Sequence, residues 1–246
     1  MKSQERHKLK ENEFAKSVLH ARDVIGTRRR DLIWGLIIVI ALLASVGVYT
    51  SWRQVRTSRA TELLASALAV HAAPVVPIQE PAPGSPAPVP QPGTFRSENA
   101  KLEAALPKFL EAADRYPSSD AGVAARYHAA SILATLGRYP EAEQRYQEVL
   151  ARAGSTIYAR TARLGLANAQ VAQNKYDNAI TIYTELSRDP NSQMPVDGVL
   201  MQLGRTCLKA GRKEEAVRAF TRVKDEFPES MYAEDARTAL DDAKKP

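Results

Sequence analysis

The chain has 246 residues, 34 Lys/Arg against 28 Asp/Glu, a formal charge of +6 and one cysteine. A single cysteine excludes an internal disulfide, so an oxidising compartment is permitted but not indicated. The positive charge does not call for a nucleic acid. Residues 97–246 hold 21 Lys/Arg and 21 Asp/Glu, so the excess lies in residues 1–59, where a basic segment beside a bilayer gains about 1 kcal/mol per residue from anionic lipid.

Residues 1–31 read as a cytoplasmic basic leader, with nine Lys/Arg against five Asp/Glu and the cluster Arg28, Arg29 and Arg30 at its end. Residues 32–52 then run for 21 positions without a charge, with the only two tryptophans, Trp34 and Trp52, near the two ends. At about 1.5 Å per residue such a run is about 31 Å long, matching a hydrocarbon core of about 30 Å, and indole rings favour the headgroup level. A transmembrane helix is expected over residues 32–52. A cleaved signal peptide is the alternative, but its apolar core is only about 7–15 residues, and here Arg53, Arg56 and Arg59 follow the run. The near flanks are almost balanced, with Arg22, Arg28, Arg29 and Arg30 before the span and those three arginines after it. Counted over short flanks, the arginine cluster puts the amino terminus in the cytoplasm and the bulk of the chain outside it. The inverted, cytoplasmic arrangement is the minor alternative.

Residues 53–70 read as a juxtamembrane helix, with 61–70 helical and continuous with the span. Residues 71–96 form a Pro-rich spacer: eight prolines fall within residues 74–92. Each fixes φ and removes a donor, so an extended stretch reaching at most about 60 Å is expected, at about 3.1 Å per residue. A ligand for a proline-recognition domain is the other reading, but no such domain is expected outside a bacterial cytoplasm.

From residue 97 the chain repeats with a period of 37: Ala105, Ala142, Ala179 and Ala216 recur at that spacing, each followed four residues later by Phe109, Tyr146, Tyr183 or Phe220. Ala130, Ala167 and Gly204 form a second register, and Gly137, Asn174 and Gly211 a third. Small residues let two antiparallel helices approach, the aromatic fills the wedge between units, and the tight turn needs φ > 0. Gln173 and Lys175, beside one such turn, are expected to be solvated.

No phosphate-binding glycine loop, nucleophile elbow, paired-histidine zinc motif or cysteine pair occurs. The sequence therefore points to no enzyme, no catalytic or metal site, no cofactor and no small-molecule substrate. Of His7, His20, His71 and His128, only His128 lies in a repeat helix, where a lone histidine reads as packing or surface. Cys207 shares a helix face with Leu203 and Gly204 and reads as a buried small hydrophobe. Glu214 with Glu215, and Asp241 with Asp242, read as solvated helix starts or faces.

These registers resemble the tetratricopeptide repeat. In residues 197–228, the fullest unit, Leu200, Leu203, Gly204, Ala216, Phe220 and Pro228 stand at the family's signature positions. Residues 120–153 and 158–190 are looser units lacking the early tryptophan-like residue. Residues 99–117 keep only a second helix, whose first helix is residues 61–70 with the proline stretch inserted between them, and residues 231–244 read as a capping helix. The period exceeds the usual repeat of about 34, and the extra length is assigned to connections around residues 154–156 and 191–193. The fold class is thus all-α: one N-terminal transmembrane helix, then a helical-hairpin solenoid over residues 97–246.

The resemblance implies a concave protein-binding groove lined by the first helix of each hairpin. Mapped here, its positions are Tyr127, Ser131 and Thr135, then Leu164, Asn168 and Val171, then Met201, Arg205 and Lys209. The carboxylate-clamp set of some chaperone-binding members is not reproduced. The whole topology resembles the ancillary SecYEG translocon subunit (YfgM-type) family of bacterial inner membranes. The Tyr-Pro-Ser-Ser and Phe-Pro-Glu-Ser turns at residues 116–119 and 227–230 are similar to those of cell-division coordinator and outer-membrane assembly lipoprotein repeats. By resemblance, the expected partners are proteins: the translocon, a periplasmic chaperone or translocating clients. One fixed partner in an envelope or cell-division assembly is the alternative.

Overall fold

The computed structural model describes residues 29–76, 91–154, 156–189 and 194–244. Among them are nine α-helices and no strand beyond one isolated bridge. The first, α1 (Arg29–His71), runs for 43 residues. Its Ser45, Thr50, Thr61 and Ser66 hydroxyls donate to carbonyls three or four residues earlier, which satisfies polar side chains inside the helix itself. It is long and apolar enough to cross a membrane, and none of its apolar window is buried in the protein. Residues 61–70 are helical and continuous with residues 32–52, as expected; the leader up to residue 28 lies outside the described residues.

The chain divides into two compact units, Met1–Arg56 and Thr57–Pro246. Within the second, Ala60 and Ala67 of α1 are fully buried, while Leu63, Leu64 and Val70 pack against the core. This segment thus contributes to the first core cluster of the repeats. After it, Val76 N–H donates to Phe95 O at 2.8 Å and Phe95 N–H to Pro74 O at 3.0 Å, forming a parallel bridge. The two ends of the proline-rich stretch therefore meet. Ala67 before the stretch and Phe109 after it share one core cluster, which brings its two ends together. Residues 77–90 lie outside the described residues.

The repeats follow as α2 (Glu98–Arg115), α3 (Asp120–Thr135), α4 (Tyr139–Leu150), α5 (Ile157–Ala172), α6 (Tyr176–Arg188), α7 (Val196–Lys209), α8 (Lys213–Glu226) and α9 (Ala233–Lys244). From α2 on, each helix packs on the next, and α3 also packs on α5, the neighbour pattern of a solenoid. All three registers hold. Ala105, Ala142, Ala179 and Ala216 are each 0% exposed, and Phe109, Tyr146, Tyr183 and Phe220 are at most 4% exposed. A Cβ on Gly204 would stand 2.4 Å from the Phe220 ring, so no larger residue fits that close approach.

The turns are as regular. Gly137, Asn174 and Gly211 have φ of 76°, 61° and 75°. One residue on, the N–H groups of Arg138, Lys175 and Arg212 reach back to the carbonyls of Leu133, Gln170 and Cys207 at 2.8–2.9 Å. This is the six-to-one bond of a helix stop with a left-handed residue. Tyr116 and Phe227 share nearly the same backbone, φ/ψ of −130°/55° and −133°/56°. Ser119 and Ser230 then donate their N–H groups to the carbonyls of Tyr116 and Phe227 at 3.1 and 3.0 Å, so the two Pro-containing turns are one structure used twice. The connections credited with the longer period include Ser155 and residues 191–193, which lie outside the described residues.

Candidate protein-binding groove

The first helices of the three full units are α3, α5 and α7. Tyr127 on α3 is half-buried, with its ring centroid 5.6 Å from Tyr158 of α5, 5.6 Å from His128 and 6.1 Å from Tyr146. Leu164 and Val171 of α5 pack half-buried over the second core cluster. Thr135 and Lys209 are exposed at the ends of α3 and α7. Tyr158, drawn to Tyr127, was not among the expected groove residues; it lies six residues before Leu164, the first mapped position of α5.

Four of the mapped residues are committed elsewhere. Asn168 accepts a 2.6 Å hydrogen bond from the Tyr183 phenol, and Ser131 is hydrogen-bonded to Tyr146, whose phenol is pushed up to about 12, first by burial and then by Tyr127. Arg205 pairs with Asp235 of α9 at 3.0 Å. Met201 is 1% exposed and belongs to a core cluster that includes Ala236 and Leu240 of α9. At 1% exposure it offers no groove surface.

Sequence reasoning also missed three polar centres. Arg126, 3% exposed, stands 74 residues before Leu200, in the slot of the absent tryptophan-like residue. Its head bonds Ala113 O at 2.9 Å and pairs with Glu148 at 2.9 Å, so the stem fills the large-residue slot while the charge is met. Burial, followed by Arg152, lowers its pKa. Glu143 on α4 receives Gln170, Gln173 and Lys175 at 3.0, 2.8 and 2.7 Å. Burial raises this carboxyl, but the donors, led by Lys175, outweigh it and hold the pKa below the usual value. Gln173, half-buried, and Lys175, exposed as expected, thus both make contacts between units. Lastly, His128 stacks on Phe109 at 5.1 Å, and His71 meets the same ring edge-on at 6.0 Å. This brings together two histidines that are 57 positions apart in sequence.

Cys207 is buried and free, its thiol pushed up by burial, as its helix face implied. Among the described residues no group of three or more His, Cys, Asp or Glu could hold a metal.

Stacked hairpins with this register define a helical-repeat scaffold. The family model described as tetratricopeptide repeat-like domain matches residues 29–193, and a second, tetratricopeptide repeat, matches residues 164–231. The chain belongs to the tetratricopeptide repeat-like family, whose repeats bind proteins; no enzymatic family is indicated. Among solved structures it is similar to a Podosopora anserina kinesin-light-chain-like protein with nearly identical TPR-like repeats, at 16% identity and TM-score 0.51, over 59% of this chain and 78% of that one. A second structure of those repeats gives the same identity and TM-score over 59% and 79%. At that identity the likeness shows the fold. No curated protein matches the chain.

Proposed function

We propose that the chain is a membrane-anchored scaffold whose repeats face the periplasm and hold proteins, a chaperone or translocating clients, near the Sec translocon of a bacterial inner membrane. The observation that carries protein binding is the row of Tyr127, Leu164 and Val171, left half-buried on successive first helices while the faces between helices close completely. Partly exposed aromatic and aliphatic side chains on a rigid framework are what a peptide needs for apolar contact. Anchoring is supported by α1, whose apolar residues from Ile33 to Trp52 are 46–71% exposed where they are large, an arrangement that water disfavours and lipid accepts.

Photo-crosslinking from positions 127 and 164 in intact cells tests this reading. Heterogeneous products that include translocon subunits support it. One discrete product without them supports the alternative, a structural component of an envelope or cell-division assembly with a single fixed partner. Orientation is tested by adding protease to spheroplasts. The repeats should be digested; protection of the repeats together with loss of a leader epitope reverses the topology and removes the translocon reading.

A further inference from the structure

On another side of the last full unit lies a cleft of about 210 Å³ between α6 and α8, floored by α7. Leu200, Leu203 and Cys207 of α7 and Ala219 of α8 line it, and none is more than 9% exposed. At about 100° per residue, Arg205 and Lys209 lie roughly 140–180° around α7 from Leu200, so this cleft and the mapped groove use opposite sides of one helix.

The rim is cationic. Arg188 of α6 and Arg218 of α8 line the cleft and are exposed, with neither an ion pair nor a hydrogen bond among the described residues. The other rim charges are satisfied. Arg222 grips Glu226 through two bonds of 2.8 and 2.9 Å and reaches Ser187 O at 3.5 Å. Glu215 pairs with Arg212 at 2.9 Å. Two guanidiniums are therefore left over an apolar floor, where their charge attracts an anion and their planar forks match a carboxylate.

The size limits the occupant. A cleft of about 210 Å³ falls below the range of about 300–1,000 Å³ for whole small-molecule ligands. It suits one aliphatic side chain with a carboxylate beside it.

We propose that this cleft is a second docking site, for an acidic peptide segment of a protein partner, with a Glu or Asp carboxylate between Arg188 and Arg218 and a neighbouring Leu-sized side chain on the floor. The proposal rests on the protein-binding reading but not on the concave groove.

The test is fluorescence anisotropy of fluorescein-labelled Gly-Glu-Leu-Glu-Gly with the full chain in detergent micelles. The peptide should bind, more tightly as salt is lowered. Its affinity should fall at least tenfold when both Glu are replaced by Gln, and equally for Arg188→Glu/Arg218→Glu. These side chains are exposed, so melting should hold, and Arg188→Lys/Arg218→Lys should recover part of the affinity. Binding should be unchanged in Tyr127→Ser/Leu164→Ser, which separates failure here from failure of the groove. No binding to the native chain, full binding to the Glu variant, or loss in the groove variant instead would each overturn the site.

Discussion

The Tyr183 phenol and the Asn168 amide meet at 2.6 Å, and the equivalent pair 37 residues earlier, Tyr146 and Ser131, is also hydrogen-bonded. In both pairs the partner precedes the tyrosine by 15 positions. The third unit has Phe220 in place of tyrosine, and Arg205 stands 15 positions before it. Without a buried hydroxyl to satisfy, that position is released to a cation, which turns to Asp235 at 3.0 Å. The choice between tyrosine and phenylalanine in the wedge thus dictates what the first helix carries on its surface.

Asn168→Ala should cost about 0.5–1.5 kcal/mol in the native background, the net range for one hydrogen bond, because Thr206 still bonds the Tyr183 phenol, and less in Tyr183→Phe. A double-mutant cycle on thermal unfolding of the detergent-solubilised chain measures this. A coupling below about 0.5 kcal/mol would show that the bond contributes nothing to stability.

Overpacking a closed helix contact typically costs about 1–3 kcal/mol, so Ala179→Leu, at a site 0% exposed, should lower the melting point. The matching control is Asn178→Ala, exposed on the same helix, expected within about 0.5 kcal/mol of native. Lys175→Ala is no control, because it breaks the 2.7 Å bond to Glu143; it should cost about 0.5–1.5 kcal/mol. Equal effects at Ala179 and Asn178 would mean that the register is wrong.

The 37-residue registers were legible because each position restricts residue type: a small residue where helices touch, a ring in the wedge, glycine or asparagine where φ is positive. The groove was legible only in part, because a helix position facing outward within one unit says nothing about what the next element covers. Met201 passed the pattern, yet it is 1% exposed. Asn168 passed it too, but its partner is fixed by the hydroxyl of a residue on another helix. Arg126 carried no warning in sequence, since an arginine in a large-residue slot looks like a defect until the carbonyl of Ala113 and the carboxylate of Glu148 are seen around it.

That slot makes a prediction of its own. Arg126→Ala should cost about 2–3 kcal/mol, since it empties a position 3% exposed and takes the donor from the Ala113 carbonyl. Arg126→Leu copies the residue of the third unit and leaves Glu148 its other partner, Arg145, at 3.1 Å. Replacing buried ionic groups with packed apolar ones is often close to neutral, so the leucine variant should lose about 1 kcal/mol or less. Denaturant unfolding of the two variants checks the order. If leucine is as damaging as alanine, the charge and not the volume holds that seam.

Acid should loosen the junction of α1 with the repeats. Burial, then His71, holds His128 below its ordinary 6.5, so between that value and its lower folded value the unfolded chain binds more protons. Stability from this group is complete above about pH 6.5 and declines as pH falls toward the folded value. Melting of the full chain should therefore drop as pH falls below about 6.5, and His128→Gln should flatten that slope, though it loses some of the stacking on Phe109. An unchanged slope in the variant would assign the effect to other groups.

Partner capture through the concave face should depend on Tyr127 and Leu164 and not on Met201. Tyr127→Ser/Leu164→Ser removes two half-buried contacts from separate units, so binding should weaken at least tenfold, while melting falls only modestly as the edge of each core cluster is trimmed. Met201→Ser is the contrast: burying a hydroxyl at a site 1% exposed should cost about 2–5 kcal/mol and weaken binding only through unfolding. Lys209, exposed and screened over about 8–10 Å at physiological salt, should matter mainly at low ionic strength. Pull-down from solubilised membranes, read beside melting curves for each variant, separates the cases. Full retention of partners by the Tyr127/Leu164 variant would move the binding site off the concave face and leave the cationic cleft between α6 and α8 as the surface to probe.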